Sequence, residues 1–93
     1  MNLSIPTGFN LFQNYPNPFN PSTKIEFSIP EMQKVTLKVF DILGNEIKTL
    51  VNEIKSPGYY EVSFNSDNLS SGNYFYTLQA GKNFIIKKMV LAK

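Results

Sequence analysis

The sequence predicts an all-β fold, a two-sheet antiparallel sandwich, on three observations. Apolar residues recur at every second position in several separate stretches, as strands with one buried face require. Clusters of Gly, Pro, Asn, Asp and Ser fall between those stretches at short intervals. No segment of useful length carries the periodicity of an amphipathic helix. Ninety-three residues make one domain with a single core, and a hydrophobic content of 42% with only 17% charged residues argues against disorder.

Residues 1–8 have little pattern and Pro6-Thr7-Gly8 reads as a linker, which leaves 9–93 as the folded domain. Phe9 to Asn14 alternates in part and predicts a first edge strand. It runs into the box Tyr15-Pro16-Asn17-Pro18-Phe19-Asn20-Pro21-Ser22-Thr23. Each proline fixes its own φ and removes a backbone donor, so no helix crosses here. Asn17 and Asn20 each precede a proline, which pushes both towards extended backbone. The box is therefore expected to be a stiff, irregular brace, with Tyr15 and Phe19 as apolar anchors packed on the sandwich.

After the box, Ile25, Phe27 and Ile29 alternate with Glu26 and Ser28 and end at Pro30. Val35, Leu37 and Val39 repeat the pattern against Thr36 and Lys38. Asp41 to Asn45 has hairpin-turn chemistry: Gly44 takes φ > 0 freely, and the Asp41 carboxylate can accept local backbone bonds. The return strand, Glu46 to Val51, breaks strict alternation between Ile47 and Leu50, which predicts a bulge or a strand ending. Asn52 to Gly58 is polar, contains Pro57-Gly58, and reads as a turn.

Tyr60, Val62 and Phe64 form the inward row of the next strand. Asn65 to Gly72 is a turn cluster in which Leu69 alone is apolar and available to plug the core. Tyr74, Tyr76 and Leu78 then face one way and Phe75, Thr77 and Gln79 the other. Gly81-Lys82-Asn83 returns the chain into Phe84 to Leu91, which is apolar on both faces with one lysine on each. Pattern alone leaves the register of that strand open; one of its lysines is expected to snorkel. The sum is a seven-stranded antiparallel sandwich of immunoglobulin-like type, without the Cys…Trp…Cys pattern of antibody domains.

Composition narrows the chemistry. With no cysteine, disulfides and thiolate metal sites are excluded. With no histidine, the usual general base, the usual zinc ligand and the His-dependent nucleophile arrangements go too. Net charge is +2 and every basic residue is lysine, which is not the footprint of a nucleic-acid or phosphate binder. Residues 1–6 lack the basic and apolar regions of a signal peptide, and no run reaches membrane-spanning length, so no direct membrane insertion is expected. An exported parent chain would carry its signal elsewhere.

Candidate sites read mostly as structure. Glu26 and Glu61 could serve as a glycosidase pair, but outward carboxylates on strands are ordinarily a solvated face. Asp41 with Asn45, and Asp67 with Asn68, fit turns better than calcium loops. Lys82, Lys87, Lys88 and Lys93 with Phe84 fit a charged strand that discourages edge-to-edge aggregation. Tyr59 and Phe75, the outward aromatics, keep open a carbohydrate-binding accessory module of a polysaccharide-degrading enzyme. From the residues, the expectation is a non-catalytic module without cofactor or metal.

Four ordered blocks then resemble one family. Leu11 to Phe27 is similar to the opening of the type A C-terminal sorting domains of the type IX secretion system, with Pro16, Asn17, Pro18, Phe19, Asn20 and Pro21 as its motif. Val39 to Ile47, with Asp41 and Gly44, resembles the second block, Leu69 to Tyr76 the third, and Lys87 to Lys93 the terminal one. The resemblance implies a targeting domain attached to an N-terminal cargo in the same chain. Such a parent passes through the periplasm to the exterior or cell surface of a Bacteroidetes-like bacterium. Its partners would be the outer-membrane translocon and a surface sortase cutting in or before residues 1–8. By the same analogy Gly72, Tyr74, Lys87, Lys88, Met89 and Leu91 belong to the recognition surface.

Overall fold

Alternation in the sequence becomes burial in the fold. The computed structural model describes residues 5–93; of the expected linker, residues 1–4 lie outside the described residues. Seven strands form in chain order: β1 (Asn10–Leu11), β2 (Ser22–Ile29), β3 (Gln33–Phe40), β4 (Glu46–Lys55), β5 (Gly58–Asn65), β6 (Gly72–Ala80) and β7 (Asn83–Leu91). They pair antiparallel in two sheets, ordered β1-β2-β5 and β4-β3-β6-β7. The expected seven-stranded two-sheet sandwich is what the chain adopts.

Ile25, Phe27 and Ile29 of β2 meet Val35, Leu37 and Val39 of β3, with Phe64, Tyr76, Leu78, Met89 and Leu91 completing the core. Each such side chain contributes about 1.5–3 kcal/mol on leaving water. Phe27 stacks on Tyr60 with ring centroids 5.3 Å apart. The register of β7, open from sequence, is fixed by the buried Met89 and Leu91. Lys87 shares their core-facing row and is half-buried, while Lys88 is exposed.

The turns follow their residues. Asp41 accepts bonds from the Leu43 and Asn45 amides, both at 2.9 Å, and from the Asn45 side chain at 3.1 Å. These donors hold its carboxyl below the ordinary range, with the Asn45 amide contributing most. Gly44 sits at φ 87°, where a side chain would be strained. The bulge expected on the return strand appears as register slips at Leu37/Lys38 and Val39/Phe40.

Two further corners share one design. The Tyr60 hydroxyl donates to the Ser56 carbonyl and the Tyr74 hydroxyl to the Ser70 carbonyl, both at 2.6 Å. In each, a glycine stands two residues before the tyrosine, in Ser56-Pro57-Gly58-Tyr59-Tyr60 and Ser70-Ser71-Gly72-Asn73-Tyr74. This is the tyrosine corner, a device that pins a strand to the loop that feeds it.

Four local expectations are corrected. Asn52–Gly58 is not a turn: β4 runs to Lys55 and β5 begins at Gly58. Polar residues are tolerated there because β4 is an edge strand and its backbone pairing with β3 sets its length. Ser28 is buried rather than outward, covered by Asn10, whose side-chain amide donates to its hydroxyl at 3.1 Å. Thr77 is buried on the outer face, between its cross-strand partners Lys38 and Ile86. Tyr15, expected as an apolar anchor, is 81% exposed; Phe19, at 1%, is the aromatic that packs into the core.

Candidate functional site

The residues singled out for recognition are brought together on the β6–β7 ladder. Gly72 pairs with Leu91, Tyr74 with Met89, Phe75 with Lys88 and Tyr76 with Lys87. Their side chains divide sharply. Tyr74, Met89 and Leu91 point into the core, whereas Gly72 and Lys88 are exposed and Lys87 half so. The buried three hold the ladder in shape; the other positions are open to solvent.

The proline box lies along the outer edge of the same ladder. β7 ends its sheet, and an end strand leaves every second residue with its N–H and C=O pointing outward. The box, with Gln13 just ahead of it, supplies partners for that row. Gln13 donates to the Lys88 carbonyl at 2.7 Å, and the Val90 amide donates to the Asn17 side-chain oxygen at 2.9 Å. The Phe19 amide donates to the Val90 carbonyl at 2.9 Å, and the Ala92 amide returns a bond to the Phe19 carbonyl at 3.1 Å. Phe19 and Leu91 thus form a parallel bridge. The Phe19 ring drops into the core edge-on to Phe64, with centroids 6.1 Å apart. Tyr15–Pro16, Asn17–Pro18 and Asn20–Pro21 are cis peptides, and the Pro21 carbonyl accepts the Ser66 amide at 2.8 Å.

A buried polar knot ties the box inward. Asn14, 2% exposed, donates through its side chain to the Pro16 carbonyl at 3.1 Å and the Thr23 hydroxyl at 3.0 Å. Its backbone amide donates to the Tyr76 hydroxyl at 2.8 Å, and that hydroxyl donates to the Phe12 carbonyl at 2.7 Å. Burial pushes the Tyr76 phenol up to about 12, partly opposed by the Asn14 bond. The sequence reading overlooked Asn14, Thr23 and Tyr76 as a set. The available signal was an asparagine placed directly before a segment whose backbone lacks a regular ladder, where Asx side chains find work.

Other candidate residues lie apart. Glu26 and Glu61 face each other across β2 and β5, and Glu61 is 3.4 Å from Lys24 in an exposed pair. Asp67 sits in the loop before β6, its amide held by the Asn65 side chain at 2.9 Å. Tyr59 belongs to the three-stranded sheet and Phe75 to the four-stranded one, so their outward sides lie on opposite faces and form no common platform. A shallow groove of about 290 Å³ runs between Tyr15, Pro16, Ser22, Lys24 and Ser63.

A search of the curated proteins and a search of the solved structures each found no match. A scan against family models did. Residues 13–92 match the family described as the secretion system C-terminal sorting domain. The match runs from the first clasping side chain, Gln13, through the box to the last paired residue, Ala92, and the chain belongs to this family, the sorting domains of type IX secretion.

Proposed function

We propose that the domain carries a cargo through the periplasm and across the outer membrane by offering the translocon a folded surface. That surface is the clasped end of the sandwich, where Gly72, Lys87 and Lys88 stand beside the proline box. Tyr74, Met89 and Leu91 act through the core beneath it. The domain itself performs no chemistry; a surface sortase removes it by cutting in or before residues 1–8. The observation that supports this reading most is the family match over 13–92 combined with the four hydrogen bonds that join Gln13 and the box to the Lys88–Ala92 edge. The bonds tie the first and terminal blocks of the resemblance into one physical unit.

The test is a periplasm-targeted reporter fused ahead of residues 1–93 in a host competent for type IX secretion. The fusion is expected outside the cell, with the reporter alone retained. Equal retention of both overturns the reading. Deleting residues 82–93 is a poor control, because Met89 and Leu91 are fully buried and the domain would not fold without them.

A further inference from the structure

The box covers only half of the β7 edge. Val90 has both its backbone groups turned outward, since its N–H meets Asn17 and its carbonyl meets Phe19. Antiparallel alternation turns those of Lys88, Ile86 and Phe84 the same way. The Lys88 carbonyl is taken by Gln13. Among the described residues no strand pairs with β7 on that side, so the Phe84 and Ile86 N–H and C=O groups line an open edge.

The side chains around this edge are not those of a protected one. Phe84 is 61% and Ile86 56% exposed, on the outer face of the sheet. Residues 81–93 contain Lys82, Lys87, Lys88 and Lys93 and no carboxylate. A second copy of this chain pairing edge to edge would gather both sets of lysines with no acidic partner. An extended acidic segment, alternating carboxylates with apolar residues, would satisfy the open donors and acceptors, cover Phe84 and Ile86, and neutralise the lysines.

We propose that the Asn83–Lys87 stretch of β7 is a β-augmentation site, taking an extended acidic segment of the export machinery as an added strand. This rests on the sorting function proposed above. The added strand would continue the line in which the box already pairs with Lys88–Ala92.

The test uses the same reporter fusion with three variants. Ile86→Pro removes an outward donor that the β6–β7 ladder does not use, a position where an edge strand accepts proline. Ile86→Thr shortens the side chain but keeps that donor. Lys82→Glu with Lys88→Glu reverses two exposed charges without touching the core. Ile86→Pro and the charge reversal are each expected to lower export by up to about tenfold, the scale of one lost backbone hydrogen bond or one lost ion pair, with Ile86→Thr close to wild type. Purified variants should retain the melting temperature of the parent to within a few degrees, as edge-surface changes do. If the parent is exported and the charge reversal travels equally well, the edge is not the site, whatever Ile86→Pro does. If Ile86→Thr loses as much as Ile86→Pro, side-chain contact rather than strand addition is responsible and the inference falls. Retention of the parent itself counts against the sorting function instead.

Discussion

The two halves of β7 have the same backbone and similar residues, yet different fates. From Lys88 to Ala92 the outer edge is closed by Gln13, Asn17 and Phe19, and the side chains beneath, Met89 and Leu91, are sealed. From Asn83 to Lys87 nothing among the described residues pairs with the edge, and the apolar Phe84 and Ile86 are exposed. Strand edges left open invite pairing and are usually blunted with charge or covered. Here one strand shows both conditions: a cover on the half that carries the core, and exposed apolar side chains along the half that has none. The difference teaches that the box is first of all an edge cover, and that its short reach decides which backbone remains available.

The sharpest way to break the contrast is to remove the plug of the covered half. Phe19→Ala is expected to cost about 3–5 kcal/mol in urea unfolding, because a buried ring is lost and the bridge to Leu91 loosens. Phe84→Ala on the open half should change stability by no more than about 0.5 kcal/mol. Similar losses for the two would erase the distinction.

A second test titrates the knot behind the box. Tyr76 holds its proton more tightly folded than unfolded, so its contribution is intact below the ordinary tyrosine value of 10.0 and lost as pH climbs towards about 12. The loss is at most roughly 2.7 kcal/mol. Tyr76→Phe should be less stable at neutral pH by about 1–3 kcal/mol, since the Asn14 amide and Phe12 carbonyl lose their partner. Its decline between pH 10 and 12 should be correspondingly shallower. Parallel pH curves for the two proteins would count against the knot.

The smallest effect sharpens the boundary itself. Asn17→Ala should cost about 0.5–1.5 kcal/mol and release the Val90 amide to faster hydrogen exchange. The Ile86 amide, already outward on the open half, should exchange quickly before and after. An unchanged Val90 rate would move the boundary closer to Leu91.

Most of the sandwich was legible because its logic is local. Period-two burial in Ile25–Ile29, Val35–Val39 and Tyr60–Phe64 needs only the residues themselves, and Asp41 with Gly44 declares its turn in five positions. The misses share a cause: in each, a partner distant in sequence decided the outcome. Asn52 and Glu53 look like loop residues until β3 lies beside them. Ser28 is buried by Asn10, and Thr77 by a neighbouring strand on the side that alternation assigns to water. Tyr15 and Phe19 are both aromatics flanked by the same proline box, and only the position of Leu91 separates the exposed one from the plug. The candidate site was legible as a list of residues. Its division into core-facing Tyr74, Met89 and Leu91 and outward Gly72 and Lys88 needed the ladder register.

The clasp also joins the beginning of the domain to its end. Its bonds span 75 residues from Gln13 to Lys88 and 73 from Asn17 to Val90, so they form only after nearly all of the domain has been laid down. The edge boundary on β7 therefore exists only in the completed domain. A chain halted before Lys88, or one whose box has been trimmed away, offers a different edge from the finished domain. A cut ahead of Gly8 removes none of the clasping residues and leaves that boundary intact.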